Sequence, residues 1–201
     1  MAFTFFFRDI HTIEHIVRHV VPFASGRSVV KVWDAGCAMG PEPYTLAIVF
    51  AENMGKFAYK NLKIDATDID GSNLFGPIIA EGVYPFEEIQ RIPADLLEKY
   101  FKPADNKPGH FKIDEAVRTR LTFQKHDLLT LKPIGDNFSL IMCKNVLLHF
   151  SQEQRIEVIK MFHSALVPGG FFASEQTQKM PKEVAHLFEQ VTPDAQLYRK
   201  L

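Results

Sequence analysis

The strongest constraint on the fold lies between residues 28 and 54, where a β-branched run, a glycine-bounded turn and a helical run follow one another without a gap. Residues 28–35 are mostly apolar and β-branched, as a buried strand requires. Gly36-Cys37-Ala38-Met39-Gly40 interrupts them, and apolar residues recur at helical spacing over 44–54. A strand that turns sharply into a helix opens a parallel β-α-β unit. The pattern repeats downstream. Residues 62–67, 121–124, Phe138–Cys143 and 170–174 read as short strands, and 71–81, 152–166 and 181–190 as helices. An amphipathic helix over 10–24 precedes them, with Ile13, Ile16, Val17 and Val20 on one face. The expected fold is α/β: a mostly parallel sheet with helices on both faces, formed by one domain over 1–201. Turn residues Pro103, Asn106, Pro108 and Gly109 mark a small surface insertion over 100–120, with His110–Ile113 as a short strand.

Composition narrows the function classes. Apolar residues at 46% and charged residues at 23% fit an ordinary globular chain. A net charge of −1 with both signs interspersed offers no field to hold a phosphate backbone, so nucleic acid is not an expected partner. The apolar opening Phe3, Phe5, Phe6, Phe7 is cut short by Arg8 and Asp9, too short for a signal peptide or membrane span. Cys37 and Cys143 show neither paired-thiol nor zinc-ligand spacing, which fits a reduced, cytoplasmic protein without a metal site.

In open α/β sheets ligands bind beyond the carboxyl ends of the strands. Asp34-Ala35-Gly36-Cys37-Ala38-Met39-Gly40 belongs there, and Gly36 and Gly40 let backbone approach a ligand. The segment lacks dinucleotide GxGxxG spacing, and Glu42 at the helix start would repel a pyrophosphate. S-adenosylmethionine (SAM) carries a cationic amine and sulfonium, which suit Asp34 and Glu42. Asp68, ending the next strand, suits the ribose hydroxyls. The competing reading makes Glu42 a complement to the helix dipole and Asp68 a cap on the following helix.

Gly36-Cys37-Ala38-Met39-Gly40-Pro41-Glu42-Pro43-Tyr44-Thr45-Leu46-Ala47 resembles the GCSTGEEPYSLA motif of CheR-type chemotaxis-receptor glutamate methyltransferases. Thr4-Phe5-Phe6-Phe7-Arg8 is similar to the family's TxFFR, Ala66-Thr67-Asp68-Ile69-Asp70 to ATDID, and Glu81-Gly82-Val83-Tyr84 to its GIY element. The segment from Phe138 to Phe150 resembles FDxIFCRNVLIYF, and Leu166-Val167-Pro168-Gly169-Gly170 resembles LxPGG. The resemblance implies a Rossmann-like, seven-stranded SAM-dependent methyltransferase fold with a small inserted β-subdomain. It also implies methyl transfer to glutamate side chains of a chemoreceptor's cytoplasmic region or a related signalling protein, leaving S-adenosylhomocysteine. By position, Thr4, Arg8, Glu42, Asp68, Asp127, Leu128, Lys144 and Asn145 match residues around the family's cofactor.

Departures bear on the chemistry. Pro41 replaces the first motif Glu, Lys144 replaces an Arg, His149 stands where a Tyr usually lies near the transferred methyl, and Ser174-Glu175-Gln176 replaces GHSE. The family's basic helical domain has no counterpart before Thr4, so the chain reads as the catalytic domain alone. Arg8, then Lys144, are the residues expected to orient an incoming carboxylate. His149 could serve as donor or base, or be a satisfied histidine between core residues Leu148 and Phe150. Two further functions compete: methylation of a small molecule or other acceptor, and noncatalytic SAM binding.

Overall fold

The computed structural model describes residues 4–201; Phe3 of the apolar opening lies outside them. Among the described residues, ten strands run β1 Val30–Ala35, β2 Leu62–Asp68, β3 Val83–Pro85, β4 Phe101–Pro103, β5 His110–Ile113, β6 Leu121–Lys125, β7 Phe138–Cys143, β8 Leu166–Ser174, β9 Phe188–Gln190 and β10 Leu197–Lys200. The helices are α1 Ile10–Ala24, α2 Pro41–Asn53, α3 Lys56–Tyr59, α4 Phe75–Glu81, α5 Phe86–Ile89, α6 Ala94–Tyr100, α7 Glu115–Arg118 and α8 Gln152–Ala165. Seven strands form the main sheet in the order β6-β2-β1-β7-β8-β10-β9. Pairing is parallel from β6 to β8, and β10 runs antiparallel to both its neighbours. The strand order reverses at β1, whose two neighbours are β2 and β7.

Alternating side chains bury both faces. Val32, Leu140, Met142 and Ala173 pack with α1 and α2, whereas Trp33, Ile141, Cys143 and Phe172 pack with α8. Trp33 is fully buried and donates its indole N–H to Thr67 Oγ1 at 2.8 Å, which satisfies its polar atom.

Several boundaries and assignments depart from the sequence reading. Helix α2 begins at Pro41, three residues before the apolar periodicity, because proline at the first helical position needs no N–H acceptor. Helix α4 begins only at Phe75, since the Asp70 carboxylate gathers the Leu74 and Phe75 N–H groups across a turn. The expected helix over 181–190 is instead a short turn, Ala185–Leu187, followed by edge strand β9. There the ladder to β10 and burial of Phe188 outweigh local helical spacing. The insertion is also larger and less superficial than expected: β3, β5 and β4 form a second sheet. Tyr84, Phe101 and Ile113 from it are buried, and Phe6 packs edge-on against Tyr84 and Phe101. No helix among the described residues is long and apolar enough to cross a membrane.

Candidate functional site

At the carboxyl ends of β1, β2 and β7, the turns after these strands enclose a cavity of about 500 Å³, within the range of small-ligand pockets. The backbone N–H groups of Gly36 and Cys37 donate to Thr67 O at 2.7 and 3.0 Å, tying the first turn to the end of β2. Gly36 has φ +105°, and a Cβ there would collide with the Val146 side chain. Only glycine therefore keeps the turn open and the β7 loop close. Ala38 (φ 49°) and Asn145 (φ 58°) also take left-handed backbone on the cavity wall, the kind of local strain that functional sites retain.

Asp68 accepts from Ala38 N at 2.9 Å and from Asp70 N at 3.2 Å. The helix-capping role weighed for Asp68 falls to Asp70, leaving Asp68 on the cavity wall. Glu42, in the first turn of α2, pairs with Lys144 Nζ at 3.2 Å, and Lys144 Nζ lies 3.3 Å from Asp9 Oδ2. The Lys144 side chain is only 1% exposed, so its charge is already committed to these acids. That geometry holds the cavity floor together. Arg8 Nη2 donates to Asn145 Oδ1 at 3.3 Å, and Arg8 Nε lies 3.8 Å from Asp9.

Thr4, Arg8, Gly36, Glu42, Asp68, Lys144, Asn145 and His149 all line this cavity. Asp127 and Leu128 line an adjoining lobe of about 220 Å³ that shares Gly36, Asp68 and Val146 with it. Two expected residues line neither. Asp34 is fully buried behind Glu42. Gly40 faces inward, where a Cβ would come within 2.6 Å of the Tyr84 hydroxyl and 2.8 Å of Ile79. Leu148, expected in the core, is 41% exposed and lines the cavity beside the exposed His149.

Asp34 has an electrostatic role of its own. Burial, then the neighbouring charge of Glu42, holds its carboxyl well above the usual carboxylate range. Neither of its oxygens meets a donor unless the Asp34 and Glu42 pair keeps a proton between them. Sequence reasoning missed Asp9, Ala38 and Glu175. Asp9 adjoins Arg8 and Ala38 lies inside the glycine turn, so chain proximity pointed at both. Glu175 follows β8, and its Oε2 accepts the Asn145 N–H at 3.2 Å.

The cavity suits SAM. Glu42 on the wall, with Asp9 beside Lys144, gathers acid at one side that could hold a cationic amine, and the Asp68 carboxylate at the end of β2 could accept from ribose hydroxyls. The adjoining lobe carries Ile69, Leu129, Val146 and Phe150, apolar walls for a flat base. Among the described residues, no group of three or more His, Cys, Asp or Glu is placed to hold a metal ion.

Comparison with known proteins agrees. The family model described as CheR methyltransferase, SAM binding domain, matches residues 2–196. Chemotaxis protein methyltransferase 1 of Pseudomonas aeruginosa is 31% identical over 189 residues, covering 89% of this chain and 67% of that protein. A chemotaxis protein methyltransferase of Borreliella burgdorferi is 32% identical over 172 residues, covering 81% of this chain and 59% of that protein. A probable chemotaxis protein methyltransferase of Rhizobium etli is 27% identical over 194 residues, covering 94% of this chain and 72% of that protein. The chain belongs to the CheR methyltransferase family and carries its SAM-binding methyltransferase domain.

Proposed function

We propose that this domain transfers a methyl group from SAM to glutamate side chains of a cytoplasmic chemoreceptor region or a related signalling protein, itself acting in the cytoplasm. The observation that carries the reading is Arg8 on the wall of the cavity, a guanidinium 29% exposed in its side chain that donates from Nη2 to Asn145 Oδ1. Relatives named chemotaxis protein methyltransferases align with most of the chain.

When bound, SAM supplies a sulfonium-activated methyl group. A glutamate side chain with an ordinary pKa of about 4.3 is already ionised at neutral pH, so the chain needs no general base for it. What the protein supplies is orientation, which is worth about 7–11 kcal/mol when reacting atoms are held in line. Arg8 would steer the incoming carboxylate. Its contacts with Asn145 and Asp9 share out its charge, which matters because negative charge disappears from the acceptor in the transition state. Glu42, Asp68 and the turn from Gly36 to Ala38 would hold the cofactor, and Lys144 keeps Glu42 in place.

A second reading has its own observation: His149, exposed on the cavity wall, could take a proton from a neutral nucleophile of a small molecule. Incubation with methyl-labelled SAM separates the two. Base-labile label on receptor protein supports glutamate methylation; label confined to small molecules rejects it. Binding of SAM without turnover on any acceptor would reject both in favour of a noncatalytic module.

A further inference from the structure

The loop after β7 contributes Lys144, Asn145, Val146, Leu148 and His149 to the cavity, yet it has little regular structure of its own to fix it. Asn145 holds a left-handed backbone with φ 58°, a conformation uncommon for L-residues although Asn enters it more readily than most. A contact from the adjacent strand holds it there. Cys143 at the end of β7 pairs with Ser174 at the end of β8, so the next residue on each strand emerges side by side. Glu175 is 4% exposed, and its Oε2 accepts the Asn145 N–H at 3.2 Å. The Asn145 side chain then turns back toward Arg8 and accepts from its Nη2 at 3.3 Å.

Resting on the proposed reaction, we infer that Glu175 is the positioning residue for Arg8, acting through Asn145 to aim the guanidinium at an incoming acceptor carboxylate. Glu175 touches no reacting atom. Its carboxyl fixes one backbone N–H, that N–H fixes the left-handed residue, and the Asn145 oxygen fixes Arg8. Burial pushes the Glu175 carboxyl up, and its second oxygen has no hydrogen-bond partner. Glutamine keeps an acceptor oxygen at the same reach without the charge, so Glu175→Gln separates the hydrogen bond to Asn145 from the charge.

The test has one readout free of any acceptor and one that uses it. In the unliganded protein, the side-chain nitrogen resonance of Arg8, identified by its loss in Arg8→Lys, should be distinct in wild type and in Glu175→Gln. In Glu175→Ala it should collapse to the position of a solvent-averaged arginine. An unchanged Arg8 resonance in Glu175→Ala overturns the inference whatever the acceptor proves to be. With receptor protein as acceptor, Glu175→Ala should lower kcat by about 10- to 100-fold, the loss expected for slight misplacement of an orienting group. Glu175→Gln should stay within about threefold of wild type. In an Arg8→Ala background Glu175→Ala should cost nothing further; an equal loss there shows that Glu175 does not act through Arg8. If Glu175→Ala does not fold, Glu175→Met, which fills the same space without an acceptor oxygen, takes its place in the same cycle with the same expectation. A wild type that methylates no receptor rejects the proposed reaction while leaving the resonance readout to decide the relay.

Discussion

The two lobes of the cavity share Gly36, Asp68 and Val146 but are built from opposite materials. The larger lobe rests on buried charge: Asp34, Glu42 and Lys144 lie beneath it, with Asp9 and Arg8 at its side. The smaller lobe is walled by Ile69, Leu129, Val146 and Phe150. The charged lobe depends on mutual pairing, since each ion there would be costly alone. The apolar lobe depends on surface removed from water, which is additive and tolerant. One lobe should therefore fail abruptly when a single partner is lost, and the other should weaken by degrees.

Replacing Lys144 tests the abrupt side with the largest expected effect. Lys144→Met leaves Glu42 and Asp34 without their cation and should lower stability by about 3–5 kcal/mol, read from urea unfolding. A loss below 1 kcal/mol would mean that the floor tolerates unpaired acid. Next comes Asp68, where the lobes meet. Asp68→Ala should weaken SAM binding by about 1–3 kcal/mol in calorimetry, through lost hydrogen bonds to the ligand. Unchanged affinity in a folded variant would remove Asp68 from the site. On the apolar side, Leu129→Ala should weaken SAM binding by only about 0.5–1 kcal/mol, with unfolding unaffected. A loss as large as that of Asp68→Ala would abolish the contrast between the lobes.

The smallest change at any single pH is expected from Asp34→Asn. The Asp34 carboxyl is held above its ordinary range by burial and then by Glu42, with Lys144 opposing and Asp68 reinforcing. Because the folded-state value is the higher one, the native state binds this proton more tightly than the unfolded chain. The group's contribution to stability is thus full below the ordinary carboxylate range and is lost as pH rises toward the folded value. Asp34→Asn should flatten that decline in urea midpoints measured across pH. An unchanged slope would show that the pair keeps no shared proton.

The same contrast separates what could be read along the chain from what could not. Strand β7 and helix α8 were legible because burial on both faces, or periodic burial on one, leaves a mark on consecutive residues. The Gly36 turn, Glu42 and Asp68 were legible because residue type and position relative to a strand end carry the chemistry. Strand β9 was not, because its pairing with β10 is decided by a neighbour and its local spacing suits a helix equally. Asp34 was recognised as an acid near the site, but only packing shows it beneath Glu42 and not on the cavity wall.

The amino-acid order alone determined a parallel α/β scaffold, the glycine turn at its strand ends and the acidic, SAM-like character of that turn, since each depends on adjacent residues. Tertiary structure decided that Lys144 is spent on Glu42 and Asp9, and that Glu175 meets Asn145 across a strand pair. It also brought Tyr84 of the inserted sheet against Phe6. These are meetings between residues 30 to 135 positions apart, and no local pattern encodes a contact that only folding brings about.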